Sequence, residues 1–312
     1  METRRLRYLL ELSRLGSMRA VAESLGTTTS TVSQQIAVLA REVGTPLLEP
    51  DGRRVRLTPA GRRLAGHAVT ILAAVESARV DLDPQAEPAG TVRVAGFATA
   101  IVRSLVPVID ELARSHPRVR LVVAEHEPPE SAELLANDAV DLALVYDYDL
   151  APAARDRAFE TTPLWSSRQR LAVPAAAPAV EGTTPEVLRA FSEHEWIGNS
   201  RNRIEDELVR TLASLAGFEP RITHQADSLD VVEDLIVAGL GVALLPPGRA
   251  PRPGLRLLPL SAPEVTFRAF AITRRGRSAW PPLTLVLDLL TGRRAPDPLR
   301  SDGRLAAPTL ER

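Results

Sequence analysis

Residues 16–36 read GSMRAVAESLGTTTSTVSQQI, and this stretch predicts two short helices separated by a turn that a glycine marks. Ser17 is a good N-cap for the first helix, because its hydroxyl can accept a hydrogen bond from a free backbone N–H. Gly26 can end that helix in the left-handed conformation without a steric penalty. The second helix is expected to begin near Thr28 and to bury an apolar stripe that recurs at helical spacing, Val32, Ile36 and Leu39.

The opposite face of the second helix is polar. Short polar groups near a helix N-terminus are what a recognition helix presents to base edges in the major groove of DNA. The candidate DNA-binding residues of this helix are Thr28, Thr29, Ser30, Thr31, Ser33 and Gln34. An ordinary helical hairpin with a solvated polar face would show the same pattern, so the neighbouring sequence has to decide between the two.

The sequence after the second helix predicts a basic wing. Asp51-Gly52 is a signal for a hairpin turn, and three arginines surround it, Arg53, Arg54 and Arg56. Thr58-Pro59 then predicts the start of a long helix that runs to about Asp83, since threonine is a good N-cap and proline suits the first helical position. Residues 1–66 hold 11 arginines and 6 acidic residues, although the whole chain has a net charge of −1. A basic head of this kind is what neutralisation of DNA phosphates requires.

These motifs resemble those of LysR-type transcriptional regulators. The similar segments are the first motif helix, the recognition helix with its exit, and the wing with the start of the linker, at residues 16–25, 31–47 and 54–61. The resemblance is specific over residues 1–65 and continues more weakly to about residue 290. The chain departs from the family pattern at Thr29-Ser30, at Gln34 and at Leu48-Glu49-Pro50. The resemblance places these positions on or near DNA, so the departures bear on the operator sequence and not on the fold.

Composition excludes several other classes of protein. The 312 residues suit two or three domains, and the 45% hydrophobic content is enough for packed cores. The absence of cysteine excludes disulfides, thiolate zinc sites and a cysteine nucleophile. The start of the chain lacks the apolar segment of a signal peptide, and no apolar run approaches about 18 residues, so we expect a cytoplasmic protein that does not span a membrane. The five histidines show no metal-ligand spacing, and no nucleotide loop or serine nucleophile motif is present. We therefore expect no catalytic residue, no metal and no cofactor.

The helix from Pro59 carries an apolar seam with the spacing of a coiled coil. The seam contains Leu64, Ala68, Ile71, Leu72 and Val75. A seam of this kind has no evident partner within a small winged domain, so we expect two copies of the helix to pair. The chain is then a homodimer or a homotetramer, and a helix that packs on its own winged domain is the alternative.

From Thr91 onward, strands and helices alternate, which predicts parallel sheets with helices on their faces. The number of elements fits two small lobes, with the chain crossing near Trp165 and returning near Pro263. The resemblance implies the same architecture, similar to type 2 periplasmic binding proteins. The predicted fold class is thus an all-α winged helix-turn-helix and a long linker helix, followed by a two-lobed α/β domain.

The predicted domain boundaries follow from these elements. The chain divides into a DNA-binding domain, a linker helix with a hinge, an effector-binding domain and a disordered tail, over residues 1–58, 59–90, 91–292 and 293–312. Within the effector-binding domain, lobe I covers about 91–163 and 265–292, and lobe II covers about 164–264.

Ligands of open α/β domains sit at the carboxyl ends of strands, where helix N-termini face them. Three points meet this description, Gly96–Ala100, Gly198–Asn202 and Asp227-Ser228. The effector contacts of LysR-type regulators resemble the first two positions, and we interpret the third as the cap of the helix that follows it. The candidate effector-binding residues are Thr99, Ala100, Asn199, Ser200, Arg201 and His224. Simple helix caps, and for His224 a hydrogen-bonded core histidine, are the alternatives.

Together these features predict a non-enzymatic, sequence-specific transcriptional regulator. It binds double-stranded DNA as a homo-oligomer, and a small-molecule effector modulates its activity. A solute-binding protein or an α/β enzyme with a helical N-terminal extension is the alternative, and the basic wing and the polar helix face argue against it. The sequence names neither the operator nor the effector, and it does not distinguish activation from repression.

Overall fold

The computed structural model describes residues 1–52, 54–83, 87–154, 156–247 and 252–292. The chain forms two compact units, the first mainly from Met1–Val145 and Ala271–Leu289 and the second mainly from Pro163–Phe270. Within the described ranges, no helix is both long enough and apolar enough to cross a membrane. Arg53 of the predicted wing, residues 84–86 of the predicted hinge and the predicted tail at 293–312 lie outside these ranges.

The N-terminal part of the first unit is a winged helix-turn-helix, as the sequence predicts. Local signals start each helix. The Ser17 hydroxyl accepts a hydrogen bond from the Ala20 backbone N–H at 3.1 Å, and Gly26 has a φ of 59° in the turn that follows. The elements are α1 (Thr3–Leu15), α2 (Met18–Ser24), α3 (Thr29–Val43), β1 (Leu48–Asp51), β2 (Arg54–Leu57) and α4 (Pro59–Leu82). Strands β1 and β2 pair antiparallel, so the wing adds a small sheet to an otherwise helical domain.

The core of this domain includes the linker helix α4. The predicted stripe Val32, Ile36 and Leu39 is fully buried, and α1 packs against both α3 and α4. The expectation that α4 has no partner in its own domain is therefore wrong for one side of the helix. Ala68 is fully buried in this core, and three other seam residues pack partly against it, Leu64, Ile71 and Leu72.

A five-stranded sheet follows, with strand order β4-β3-β5-β12-β6. Strand β3 pairs parallel with both β4 and β5, as the alternation of strands and helices predicts. The helical segment that follows β3 begins at Ala98 and includes a π-helical turn over Ile101–Leu105. The elements up to β5 are β3 (Gly90–Gly96), α5 (Ala98–Ala100), α6 (Val106–Ser115), β4 (Val119–Glu125), α7 (Pro128–Ala136) and β5 (Leu142–Tyr148).

The remaining elements confirm the α/β class and correct one detail of it. Strand β7 pairs antiparallel with β10 and β11, so parallel pairing does not hold throughout, whereas β8 and β9 pair parallel. The chain passes between the two units within β5, β6 and β12. The elements are β6 (Phe159–Arg168), β7 (Arg170–Pro174), α8 (Thr184–Arg189), β8 (Glu195–Gly198), α9 (Arg203–Ala216), β9 (Arg221–Gln225), α10 (Leu229–Val237), β10 (Ala243–Leu245), β11 (Leu255–Pro259), β12 (Thr266–Arg274) and α11 (Pro281–Gly292).

Candidate DNA-binding surface and effector-binding turns

The N-terminus of α3 is ordered by one threonine. The Thr28 hydroxyl accepts a hydrogen bond from the Thr31 backbone N–H at 3.2 Å and lies 2.8 Å from the Ser30 hydroxyl and 2.9 Å from the Thr31 hydroxyl. Thr31 is half-buried, whereas Thr28 and Ser30 are exposed. These three hydroxyls therefore fix the first turn of the helix.

Three other polar side chains of α3 are exposed and lack hydrogen-bond partners among the described residues, Thr29, Ser33 and Gln34. Gln34 lies opposite the buried stripe of Val32 and Ile36, whereas Thr29 and Ser33 lie beside that stripe near the N-terminus of the helix. These three side chains thus stand on a rigid helix with their polar groups available to a partner.

Arg5 on α1 fixes the orientation of α3. Its Nε donates to the Gln35 Oε1 at 3.2 Å, and its guanidinium forms ion pairs with Glu42 and with Glu2. Because its charge is matched by two carboxylates, Arg5 braces the helix and is not a candidate for a phosphate contact.

The wing arginines differ in what surrounds them. Arg56 on β2 lies opposite Glu49 on β1, and its Nε is 2.8 Å from the Glu49 Oε1. The Arg56 side chain is nevertheless 62% exposed, so this is a surface ion pair, which contributes little stability. Arg54 lies on β2, and Arg53 is outside the described residues.

A compact joint connects the wing, the exit of α3 and the linker helix. The Thr58 hydroxyl donates to the Pro46 carbonyl at 2.8 Å and accepts from the Gly61 N–H at 3.0 Å. The Thr58 N–H donates to the Leu47 carbonyl at 3.0 Å. A Cβ on Gly61 would lie 2.3 Å from that same carbonyl oxygen, so only glycine fits here. The joint sets the direction in which α4 leaves the DNA-binding domain.

The predicted pairing seam on α4 is divided by this packing. Ala68 is fully buried within its own chain, which leaves it no surface for a second copy. Val75 is half-buried and stands apart from the described residues that form the core of the winged domain. It is therefore the seam residue that best reports on a partner.

The first candidate effector-binding turn lies between β3 and α5. Thr99 is half-buried, and its hydroxyl makes no hydrogen bond to any described residue. Ala100 is fully buried, and its N–H donates to the Phe97 carbonyl at 3.0 Å. Ala100 thus supports the turn, and Thr99 presents its free polar group.

The second turn, between β8 and α9, is already filled by a carboxylate. Asn199 Oδ1 accepts from the N–H groups of Arg201 and Asn202, at 2.9 and 2.8 Å. The N–H and the hydroxyl of Ser200 both donate to Asp227, at 2.8 and 2.6 Å, and the Arg201 Nε lies 2.9 Å from the Asp227 Oδ2. The sequence interpretation of Asp227 as the start of a cap for α10 missed this role.

The charge of Asp227 is stabilised by these contacts. Its partial burial raises the pKa of the carboxyl, but the hydrogen bonds from Ser200 and Arg201 outweigh burial and hold the pKa below its usual range. Asp227 is therefore ionised at neutral pH and occupies the donors that a ligand anion would use. His224, the remaining candidate, is half-buried on β9 beside Ile197 of β8.

Two buried polar groups behind this turn escaped the sequence interpretation. The Asn202 Nδ2 and the Asp206 Oδ1 are buried and have no hydrogen-bond partner among the described residues. A Cβ on Gly198 would lie 2.3 Å from the Asp206 Oδ1, and burial raises the pKa of Asp206. Asn202 caps α9 and Asp206 lies four positions later, about one helical turn away. This spacing is the sequence signal that could have identified them. In the described part of the chain, no group of acidic and histidine side chains is arranged to hold a metal ion.

Comparison with known proteins identifies both parts of the chain. Residues 3–62 match the family model "Bacterial regulatory helix-turn-helix protein, lysR family", and residues 85–295 match "LysR substrate binding domain". The transcriptional dual regulator GltC of Bacillus subtilis is 28% identical over 249 residues, which cover 79% of this chain and 81% of GltC. The transcriptional regulator CysB of Burkholderia cenocepacia is 28% identical over 272 residues, 83% of each chain. The structure of full-length OxyR from Pseudomonas aeruginosa has the same fold, with a TM-score of 0.70 at 20% identity over 93% of this chain and 94% of that one.

Proposed function

The chain belongs to the LysR family of bacterial transcriptional regulators, and we propose that it reads its operator with the exposed side chains of α3 and contacts DNA phosphates with its wing. Its relatives are transcriptional regulators and not solute-binding proteins or enzymes, which disfavours the alternative of an extended binding protein. The observation that carries the proposal is the set of exposed polar side chains in the first turns of α3, Thr29, Ser33 and Gln34, which make no hydrogen bond to any described residue. A regulator of this kind works where the chromosome is, so we place it in the cytoplasm.

The residues of the DNA-binding surface differ in role. Gln34 can present its amide oxygen and N–H together to the edge of an adenine, and Thr29 and Ser33 add hydroxyls near the N-terminus of the same helix. Ser30, Thr28 and Thr31 hold the helix N-terminus, whose backbone N–H groups suit a phosphate. Arg53, Arg54 and Arg56 supply the guanidinium groups of the wing, and the chain has no lysine to share that task.

We expect Gln34→Ala to change which operator variants are preferred, because a lost bidentate base contact removes about 1–3 kcal/mol of discrimination at one base pair. Arg56→Ala should instead weaken binding to all sequences and flatten the salt dependence by about one unit. The operator is first selected from a random duplex pool, and its single-base variants are then ranked by competition against the wild-type site. Arg168→Ala is the matched control, since Arg168 also forms an exposed ion pair, with Glu264 at 3.0 Å in the second unit. A Gln34→Ala protein with an unchanged base ranking would contradict the assigned role.

We propose that the effector is a small polar molecule and that the Thr99 turn and the Asn199–Ser200 turn are its candidate contacts. The free Thr99 hydroxyl supports the first contact. At the second turn, Asp227 already accepts from Ser200 and Arg201, so a ligand there either displaces this carboxylate or donates a hydrogen bond to it. His224, on the strand that leads to the same turn, completes the proposed set.

Thr99→Val should weaken effector binding, because it removes the hydroxyl and keeps the size of the side chain. The loss of one hydrogen bond to a neutral group amounts to roughly 0.5–1.5 kcal/mol, or up to about tenfold in Kd. Thermal-shift screening of metabolites linked to the neighbouring genes identifies the ligand, and calorimetry then compares wild type, Thr99→Val and Ser200→Ala. A stabilising ligand whose Kd is the same in all three proteins binds elsewhere.

A further inference from the structure

An ion cluster joins the DNA-binding domain to the effector-binding domain within the first unit. Arg14 lies near the end of α1, Asp141 directly precedes β5, and Arg277 follows β12. The Asp141 Oδ1 is 3.2 Å from the Arg14 Nη2 and 2.8 Å from the Arg277 Nη2. The side chains are 9%, 1% and 8% exposed, in the order Arg14, Asp141 and Arg277. The contact between Arg14 and Asp141 thus connects residues 127 positions apart.

The cluster is anchored firmly on the side of the effector-binding domain. The second oxygen of Asp141 accepts from the backbone N–H of Arg93 on β3 at 3.0 Å. The Arg277 guanidinium lies over the Trp280 ring, 4.0 Å from its centroid, and a Cβ on Gly90 would lie 3.0 Å from the same ring. The sheet and Trp280 therefore give Asp141 and Arg277 contacts that do not involve Arg14.

The linker helix touches the same region. The Thr70 hydroxyl on α4 lies 3.5 Å from the Arg275 carbonyl oxygen. A Cβ on Gly276 would lie 2.8 Å from the Thr70 Cγ2. The turn after β12 thus approaches α4 closely while Arg14 of α1 reaches Asp141. Two helices of the winged domain rest on one edge of the effector-binding domain.

A buried ion cluster specifies geometry more than it adds stability. The free energy needed to remove the charges from water offsets much of the favourable attraction between them. The cost is visible here, because the Nε atoms of Arg14 and Arg277 are buried and have no hydrogen-bond partner among the described residues. Burial also lowers the pKa of Arg277, and the nearby Arg14 acts in the same direction against the attraction of Asp141. Because burial of these charges opposes their attraction, the cluster suits a contact that fixes an orientation and can be released.

We propose that the Arg14–Asp141–Arg277 cluster sets the orientation of the helix-turn-helix on its own effector-binding domain and transmits the effector state to it. Asp141 and Arg277 adjoin β5 and β12, two of the strands through which the chain passes between the units. A change in the twist of these strands moves the carboxylate and the guanidinium that hold α1. The transmission part rests on the proposed function as an effector-controlled regulator, whereas the orientation part does not.

The orientation is measured by electron paramagnetic resonance between two spin labels. The chain has no cysteine, so Arg19→Cys on α2 and Arg114→Cys on α6 give a single labelled pair without background. Both side chains are exposed, at 85% and 70%. The labelled chain is diluted with unlabelled chain so that only distances within one protomer contribute.

We expect Arg14→Met to broaden the distance distribution. It should also lower the affinity for the full operator about tenfold, because two DNA-binding domains without a fixed orientation engage both half-sites at once less often. Affinity for a duplex with one half-site should not change. Arg7→Met is the matched control, because Arg7 is exposed on the same helix, and it should keep the narrow distribution. Asp141→Asn keeps an oxygen for the Arg93 N–H and removes the charge, so it should broaden the distribution as Arg14→Met does.

The outcomes separate this inference from the proposed function. A distribution as narrow in Arg14→Met and Asp141→Asn as in wild type overturns the orientation role. A broadened distribution with unchanged operator affinity overturns its relevance to DNA binding. The label measurement needs no DNA, so a wild-type protein that fails to bind DNA counts against the proposed function alone. Circular dichroism of each variant checks that the helical content is retained.

Discussion

Replacing Gly61 by alanine should destabilise the winged domain and weaken DNA binding, because the added methyl group collides with the backbone at the joint between wing and linker helix. The new Cβ would lie 2.3 Å from the Leu47 carbonyl oxygen. That oxygen cannot retreat freely, since it accepts from the Thr58 N–H at 3.0 Å. Alanine favours a helix over glycine by about 1 kcal/mol, but overpacking against a fixed backbone costs about 1–3 kcal/mol or more. In a domain of this size, the resulting net loss of up to about 2 kcal/mol lowers Tm by up to roughly 15 °C.

Gly66→Ala is the matched control on the same helix. Its added Cβ would meet only the Arg274 Nη2, at 3.1 Å, and the end of a long side chain can move. We expect Gly66→Ala to melt at the wild-type temperature or slightly above it and to bind the operator normally. Thermal circular dichroism and fluorescence anisotropy with labelled operator compare the three proteins. A Gly61→Ala protein that melts and binds like wild type would mean that α4 does not pack on Leu47 as described.

The helix-turn-helix, the wing and the start of the linker helix could be predicted because their signals are local, whereas helix α1 (Thr3–Leu15) was not predicted. Ser17, Thr28 and Thr58 each cap a helix that starts at the next residue, so the information for the helix start lies within a few positions. The buried stripe on α3 is likewise a pattern of neighbouring turns. Local hydrogen bonds and helical periodicity need no knowledge of the remaining fold, and both were read correctly.

The sequence pattern does not predict strand β6, and the reason is physical. Pro163 lies in the middle of Phe159–Arg168, and proline argues against a central strand because it donates no hydrogen bond to the sheet. The sheet order places β6 at the edge, where one side of the strand needs no donors. The antiparallel pairing of β7 also depends on partners far along the chain, at Ala243–Leu245 and Leu255–Pro259, and no local pattern encodes it.

At the candidate sites too, local features could be predicted from the sequence and contacts between distant residues could not. The sequence identified the turns and the polar helix face, but it did not show which polar groups are already engaged. Asp227 reaches Ser200 across 27 positions, and this contact changes the second candidate turn from an open anion site to a filled one. Arg56 has its charge matched by Glu49 on the adjacent strand. Such pairings follow from tertiary packing, which a single sequence does not display.

Val75→Arg should convert the protein to a monomer and weaken operator binding by about 10²–10⁴, the gain that linked binding of two half-sites provides. The prediction follows from the proposal that α4 pairs two copies. A guanidinium in an apolar seam loses its hydration and has no partner, which strongly destabilises the pair. Val75 is the appropriate position because it stands outside the core that holds Ala68 and, in part, Leu72. A charge at Leu72 would disturb the winged domain itself, so its effect on pairing could not be separated from unfolding.

Sedimentation velocity at several protein concentrations measures the assembly, and titration of the full operator and of a single half-site measures the binding. Ala74→Arg is the matched control, since Ala74 is the adjacent residue and is exposed, so the same charge there should leave the sedimenting species unchanged. If Val75→Arg loses the larger species and keeps its half-site affinity, both assembly and operator affinity depend on α4. The DNA-binding domain is then intact, and only the coupling between the DNA-binding domains of two protomers is lost. A Val75→Arg protein that sediments like wild type would place the pairing on another surface. The size of the wild-type species then decides between a homodimer and a homotetramer, because a tetramer needs a second interface that a charge on α4 does not remove.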